Sequence, residues 1–191
     1  MKRILVVFAL SAALIPQIAW AELSYSSVDF GYLITSYSPS LTQYNIAISK
    51  GISGNFYLDA SYLSGSQVTN DYQGENHASA ITLGGGYHTP LHENVDGILK
   101  GDVILGSVTT AGNSTSENGF DIAAGMRAQM THRFEGTLAI VYASTSGGIY
   151  ASSDTFVNAQ LGFNFTPQLQ MNASVDFRPT MVTGVRLRYF Y

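Results

Sequence analysis

Apolar side chains return at every second position in segment after segment, and this period of two constrains the chain more than any other feature. In the last stretch Val185, Leu187, Tyr189 and Tyr191 fall on one face while Arg186 and Arg188 fall on the other. Around the middle, Phe120, Ile122, Ala124, Met126, Ala128 and Met130 alternate with Asp121, Ala123, Gly125, Arg127, Gln129 and Thr131. Successive side chains of a β-strand point to opposite faces, whereas a helix would mix the two sets around its circumference. The pattern reads as all-β.

Scored this way, the sequence predicts ten strands: residues 25–37, 42–51, 54–66, 76–89, 94–109, 118–132, 134–146, 153–165, 168–178 and 182–191. One domain suits the length. Tyr and Phe number 12 and 10, and Gly numbers 19 against only 5 Pro, a balance that suits paired strands with close backbone contacts better than disorder. The absence of cysteine excludes disulfides and thiolate metal sites.

The same alternation would serve a soluble sandwich, so the character of the second face decides. Asn158, Gln160 and Asn164 in one strand and Gln170, Asn172, Ser174 and Asp176 in the next could not line a dry core. The apolar faces run for about the 9–11 residues of a tilted membrane crossing. Aromatics gather at their ends, with Phe56, Tyr87, Phe134, Phe165 and Tyr189 towards one rim and Tyr44, Tyr62, Phe120, Tyr142 and Phe177 towards the other. Two such girdles are what the interfaces of a bilayer select. The expected fold is a closed antiparallel transmembrane β-barrel of ten strands, with eight as the alternative.

The beginning of the chain fits this reading. Met1, Lys2 and Arg3 precede an apolar run from Ile4 to Leu14, and small residues occupy Ala19 and Ala21. That is the layout of a secretory signal peptide over 1–21, leaving 22–191 as the barrel; the run is shorter than the roughly 20 residues of a spanning helix. Cleavage would remove Lys2 and Arg3 from the 9 basic side chains and leave all 13 acidic ones. Such an acidic chain is a poor non-specific nucleic-acid binder.

Short connections at 51–54, 90–93, 132–134 and 166–167 alternate with longer polar ones at 38–41, 66–76, 110–117, 147–152 and 179–181. Bacterial barrels keep short turns in the periplasm and longer loops outside, so both chain ends are expected in the periplasm.

By this pattern the mature chain resembles the small bacterial outer-membrane β-barrel superfamily, which includes the transmembrane domain of outer membrane protein A. Residues 83–91, followed by Glu93 to Asp96, are similar to a strand-turn-strand of uncharacterised proteobacterial barrels. Val185, Leu187, Tyr189 and Tyr191 resemble the C-terminal assembly signal of such proteins, with Tyr where Phe is usual. The resemblance implies a location in the bacterial outer membrane, contact with its lipid and lipopolysaccharide, and the barrel-assembly machinery as partner during biogenesis. A monomer is expected.

The inner faces carry Asp29, Asp59, Asp96, Lys100, Asp102, Asp121, Arg127, Glu135, Asp154, Asp176, Arg186 and Arg188. Buried charges are costly unless paired. An internal ion-pair network is therefore expected, centred on Asp29, Asp59, Lys100, Asp102, Arg127, Arg186 and Arg188, with Arg186 and Arg188 beside Asp29 where the last strand meets the first. Barrels of this size are usually filled by side chains, which favours a plug over a pore.

Catalytic chemistry is weakly signalled. His77 lies near Asp71 and Glu75, and Ser79 follows, but His77 and Ser79 share a lipid-facing parity and no nucleophile motif surrounds them. Lipid A deacylases, with a strand-borne His and Ser, and omptin proteases, with paired Asp and an Asp–His dyad, offer no match. His88, His92 and His132 are expected as separate rim residues without metal-ligand spacing. Gly84, Gly85 and Gly86 lack the Lys and the helix of a phosphate loop and suit curvature or an aromatic packed over them. An anionic outer rim could hold divalent cations shared with lipopolysaccharide. No catalytic, cofactor or metal site is expected. A plugged barrel with a structural or surface-interaction role leads, ahead of a narrow channel and an enzyme.

Overall fold

The computed structural model describes residues 23–36, 41–68, 75–110, 112–146 and 152–191. Ten strands follow in chain order: β1 (Ser27–Thr35), β2 (Leu41–Ser53), β3 (Phe56–Val68), β4 (Glu75–His92), β5 (Val95–Thr110), β6 (Asn113–Gln129), β7 (Phe134–Ser146), β8 (Ser152–Asn164), β9 (Leu169–Phe177) and β10 (Val182–Phe190). Each pairs antiparallel with the next, and β10 returns to β1 from Ser27↔Phe190 to Thr35↔Val182, closing the sheet into a barrel. Closure leaves no open sheet edge, a condition that lipid imposes because it cannot hydrogen-bond free backbone groups. Ten strands, not eight, complete the ring.

The alternation sorts the side chains as expected. Phe30, Ile46, Leu58, Leu83, Leu99, Ile122, Ile140, Met171 and Leu187 project outward and remain exposed. Inward positions hold buried polar groups, among them Asp29, Asn45, Asp102, Arg127, Glu135, Gln170 and Asn172. A surface this apolar has its solvent in the bilayer, and the protein's core is its polar lumen. Both predicted girdles face outward. Phe56 packs on Tyr87 with ring centroids 5.1 Å apart and Phe134 on Phe163 at 5.2 Å, while nearer the other rim Tyr32 meets Tyr44 at 5.4 Å and Phe120 meets Tyr142 at 6.0 Å.

One end of the barrel has the short turns 54–55, 93–94, 130–133 and 165–168. This is the periplasmic end by the usual asymmetry of bacterial barrels. Of the connections expected on the outside, residues 37–40, 69–74 and 147–151, with Asp71 among them, lie outside the described residues, as does the 1–21 signal segment.

Three sequence expectations need correction. The polar stretch at 110–117 is no loop: β5 and β6 continue pairing as far as Thr110↔Asn113, around Gly112 at φ 82°. Its Ser and Thr side chains suit a two-stranded ribbon that is wet on both faces, and Gly112 takes the left-handed turn position at no steric cost. The turn placed at 90–93 is shorter, because β4 runs on to His92 through an irregular register between Pro90 and His92 that tolerates the missing Pro90 N–H. Finally, β1 starts at Ser27 rather than at residue 25, and the preceding residues cross the barrel mouth instead of extending the wall.

Candidate functional site: the lumen

The lumen is built around a floor near the periplasmic end to which all ten strands contribute. Tyr25, just ahead of β1, reaches across the opening and donates its hydroxyl to Asp96 Oδ2 of β5 at 2.7 Å. Its ring stacks on His88 of β4 at 3.8 Å and on Tyr57 of β3 at 5.2 Å, and the Arg127 guanidinium of β6 covers it at 4.8 Å. Ser49 of β2 donates to the Tyr25 carbonyl at 2.8 Å. Arg127 donates to both oxygens of Glu135 in β7, Nε to Oε1 at 2.8 Å and Nη2 to Oε2 at 2.9 Å, and its Nη1 reaches the Ser24 carbonyl at 2.8 Å. Gln170 of β9, fully buried, donates to Asn164 of β8 at 2.9 Å and lies 3.4 Å from Glu135 Oε2. Arg188 of β10 and Asp29 of β1 complete the ring, with Nη2 and Oδ2 2.8 Å apart.

Burial first, and then the hydrogen bond to Asp96, push the Tyr25 phenol well above its ordinary value of 10.0. It stays neutral, which lets it donate to a carboxylate and stack between rings.

A second group sits further along the lumen. Lys100 Nζ lies 2.8 Å from Asp59 Oδ2 and 2.6 Å from Asp102 Oδ2, and Asp121 is the register partner of Asp102 on β6. Two glycines make room for this packing. A Cβ at Gly84 would run into Asp102 Oδ1 and the Gly101 carbonyl, and one at Gly86 would strike the ring of Tyr57. Gly86 thus carries an aromatic packed over it. A third group lies towards the outer end: Asp176 accepts from Asn158 Nδ2 at 2.7 Å and from Arg178 Nη2 at 2.9 Å, and Arg178 also covers the Phe156 ring at 4.6 Å.

The seven charged residues singled out from the sequence all face inward, but they form no single network. Asp29 with Arg188, Lys100 with Asp59 and Asp102, and Arg127 with Glu135 are three separate clusters, and Arg186 makes no ion pair among the described residues. The register explains the exception: Arg188 faces Asp29, whereas Arg186 faces Gly31. His88 is a lumen residue, with Nδ1 3.3 Å from Asp96 Oδ2, and not a rim residue like exposed His92. Tyr25, Tyr57 and Gln170 are floor residues that sequence reasoning did not select. The inward parity of Tyr57 and Gln170 marks them as lumenal, but Tyr25 precedes the strand and carries no such signal. His77 and Ser79 lie on the outward face of β4, where Ser79 Oγ is 3.3 Å from Ser107 Oγ.

Among the described residues no group of three or more His, Asp or Glu side chains is arranged to hold a metal ion. A cavity of about 210 Å³ adjoins the floor, lined by Tyr25, Asp29, Tyr57, Asp59, Lys100, Arg127, Arg186 and Arg188.

No protein-family model and no curated protein sequence matches the chain. Solved structures do. The β domain of the Bordetella autotransporter BrkA superimposes with a TM-score of 0.57 at 10% identity, covering 87% of this chain and 100% of that one. The KdgM porin gives 0.50 at 10% identity, covering 86% and 99%, and the NanC porin gives the same four values. At such identities the likeness is one of fold. With its apolar exterior and closed ring of ten antiparallel strands, the chain has the fold of these porins and of this autotransporter β domain.

Proposed function

We propose that this protein is a closed, non-conducting outer-membrane barrel with a structural or surface-interaction role, and not an enzyme. The observation that carries this reading is the floor. Side chains from every strand, tied to residues 24 and 25, meet across the lumen in rings, ion pairs and hydrogen bonds. A buried ion pair with satisfied partners is costly to break, by about 3–5 kcal/mol when one member is lost, so the floor resists thermal opening. The lipid and lipopolysaccharide around the barrel are its standing partners, the assembly machinery reads its C-terminal strand, and recognition falls to the outer connections that the rigid wall presents. The lipid-facing position of His77 and Ser79 speaks against an acid-base pair working in water.

Planar-bilayer recording on the full-length purified protein tests the proposal. The wild type is expected to give no stable, reproducible conductance steps, whereas Tyr25→Ala, which removes the centre of the floor, is expected to give intermittent ones. Stable steps of one size in the wild type would overturn the closed-barrel reading in favour of a narrow channel.

A further inference from the structure

Among the described strand residues, Lys50 is the cation that faces away from the lumen. Lys100, Arg127, Arg186 and Arg188 point inward, whereas Lys50 shares the exposed outward face of β2 with Tyr44, Ile46 and Ile48. Its neighbour Ser49 fixes that parity, because the Ser49 hydroxyl reaches the Tyr25 carbonyl inside the barrel. Lys50 stands just ahead of the 54–55 turn, at the level of the periplasmic girdle, with Nζ 4.9 Å above the ring of Tyr191. No carboxylate pairs with it among the described residues. A lysine on such a wall lays its stem along apolar surface and carries its charge to the interface.

An independent second observation lies on the same wall. A groove of about 580 Å³ is lined by Val28, Ile46, Ile48, Ala60, Tyr62 and Ile81. Ala60 opens it. Along the outward face of β3 the residues are Phe56, Leu58, Ala60 and Tyr62, so one small side chain interrupts a row of large ones, opposite Ile48 on β2 and Leu83 on β4. The large lining residues are each 41–52% exposed, so the groove is open to whatever surrounds the barrel. Hydrocarbon gains contacts in such a groove, while an ion or a sugar would find no polar partner there.

We infer that Lys50 and the groove at Ala60 hold one anionic phospholipid of the periplasmic leaflet, its phosphate on the Lys50 ammonium and an acyl chain along Ala60. Lys50, Ile48 and Ile46 follow one another on a single strand face, so the charge and the groove are consecutive along one line. Charge selects the headgroup: a cation without a carboxylate favours a lipid of net negative charge over a zwitterionic one. Position selects the leaflet, because Lys50 stands at the end of the barrel that carries the short turns. The inference rests on the membrane setting proposed above and adds a defined lipid site to it.

Native mass spectrometry tests it on the full-length barrel, released from detergent micelles that contain equal amounts of phosphatidylglycerol and phosphatidylcholine. The wild type is expected to retain one phosphatidylglycerol with about fivefold preference, the effect of one cation near an anionic lipid surface. Lys50→Gln is expected to abolish the preference, and Ala60→Phe, which fills the groove, to lower retention of both lipids about fivefold. Ala124→Phe, equally exposed on the outward face of β6, is expected to change neither. Equal retention of the two lipids by the wild type, or a preference that survives both Lys50→Gln and Ala60→Phe, would overturn the inference. Insertion of the same wild-type sample into phosphatidylcholine vesicles separates the two readings: a barrel that inserts without retaining phosphatidylglycerol removes this site alone, and one that does not insert removes the membrane setting too. If either variant fails to assemble, a phosphatidylglycerol with a photoreactive acyl chain decides on the wild type. Label concentrated on β2 and β3 around Ile48 and Ala60 supports the site, and label spread evenly round the barrel removes it.

Discussion

Arg188, near the end of the last strand, grips both carboxylate oxygens of Asp29, near the start of the first. Its Nε lies 2.9 and 3.0 Å from the two oxygens, and its Nη2 lies 2.8 Å from Oδ2. These residues are register partners across the closing seam, so the ion pair locks the two strands that have no hairpin to join them. Asp29 is only 5% exposed. Losing one partner leaves a buried charge without compensation, and Asp29→Ala is expected to destabilise the barrel by about 3–5 kcal/mol. The double variant Asp29→Ala with Arg188→Met should recover much of that loss. Urea titrations read by the gel shift between unboiled and boiled samples give the four corners of the cycle.

Gly84 of β4 pairs with Asp102 and Gly101 of β5 pairs with Gly85, one step away in register, and the two glycines have opposite expected tolerances. A side chain at Gly84 meets Asp102 and the backbone carbonyl of Gly101, while one at Gly101 has its nearest atom at 3.9 Å. Gly84→Ala is therefore expected to cost about 1–3 kcal/mol through overpacking. Gly101→Ala should stay within about 0.5 kcal/mol of the wild type. Equal urea midpoints for the two variants would refute the packing assigned to Gly84.

The floor should loosen in alkali. Tyr25 has its phenol pushed above 10.0 by burial and by its bond to Asp96. A raised pKa means that the folded state holds the proton more tightly. Its contribution is therefore complete below about pH 10 and is lost as pH rises through the higher folded value. Titration of tyrosinate absorbance should show a late-ionising component that is reduced by one tyrosine in Tyr25→Phe.

Tyr189 and Phe190 pair with Val28 and Ser27, and the Tyr191 hydroxyl donates to the Ser49 carbonyl at 3.1 Å while Lys50 Nζ sits 4.9 Å above its ring. Deleting residues 189–191 removes the periplasmic end of the closing seam together with the last two residues of the stretch that resembles an assembly signal. The truncated chain is expected to lose heat-modifiable migration and to be absent from the outer-membrane fraction. A barrel that still assembles would show that closure needs only the remaining pairs.

Much of the fold was legible because a strand writes its two faces locally. Parity alone placed Arg127, Arg186 and Arg188 inside and Phe120, Leu187 and Tyr189 outside, and strand ends such as those of β7 at Phe134 and Ser146 coincide with the expected ones. Boundaries slipped where local chemistry is ambiguous. Asn113 to Ser116 read as loop because polar residues suit a loop and a wet ribbon equally well, and only pairing with β5 distinguishes the two.

The candidate site was legible in its membership but not in its pairing. The facing of a side chain depends on its own strand, so the sequence by itself determined that the lumen is charged and the exterior apolar. Which charges meet depends on register, on closure, and on what stands opposite. Asp29 opposite Arg188 makes a pair, Gly31 opposite Arg186 leaves a cation, and Tyr25 reaches Asp96, 71 residues away, because the ring brings their strands to one end. Those partnerships are relations between distant segments, and only the tertiary structure decided them.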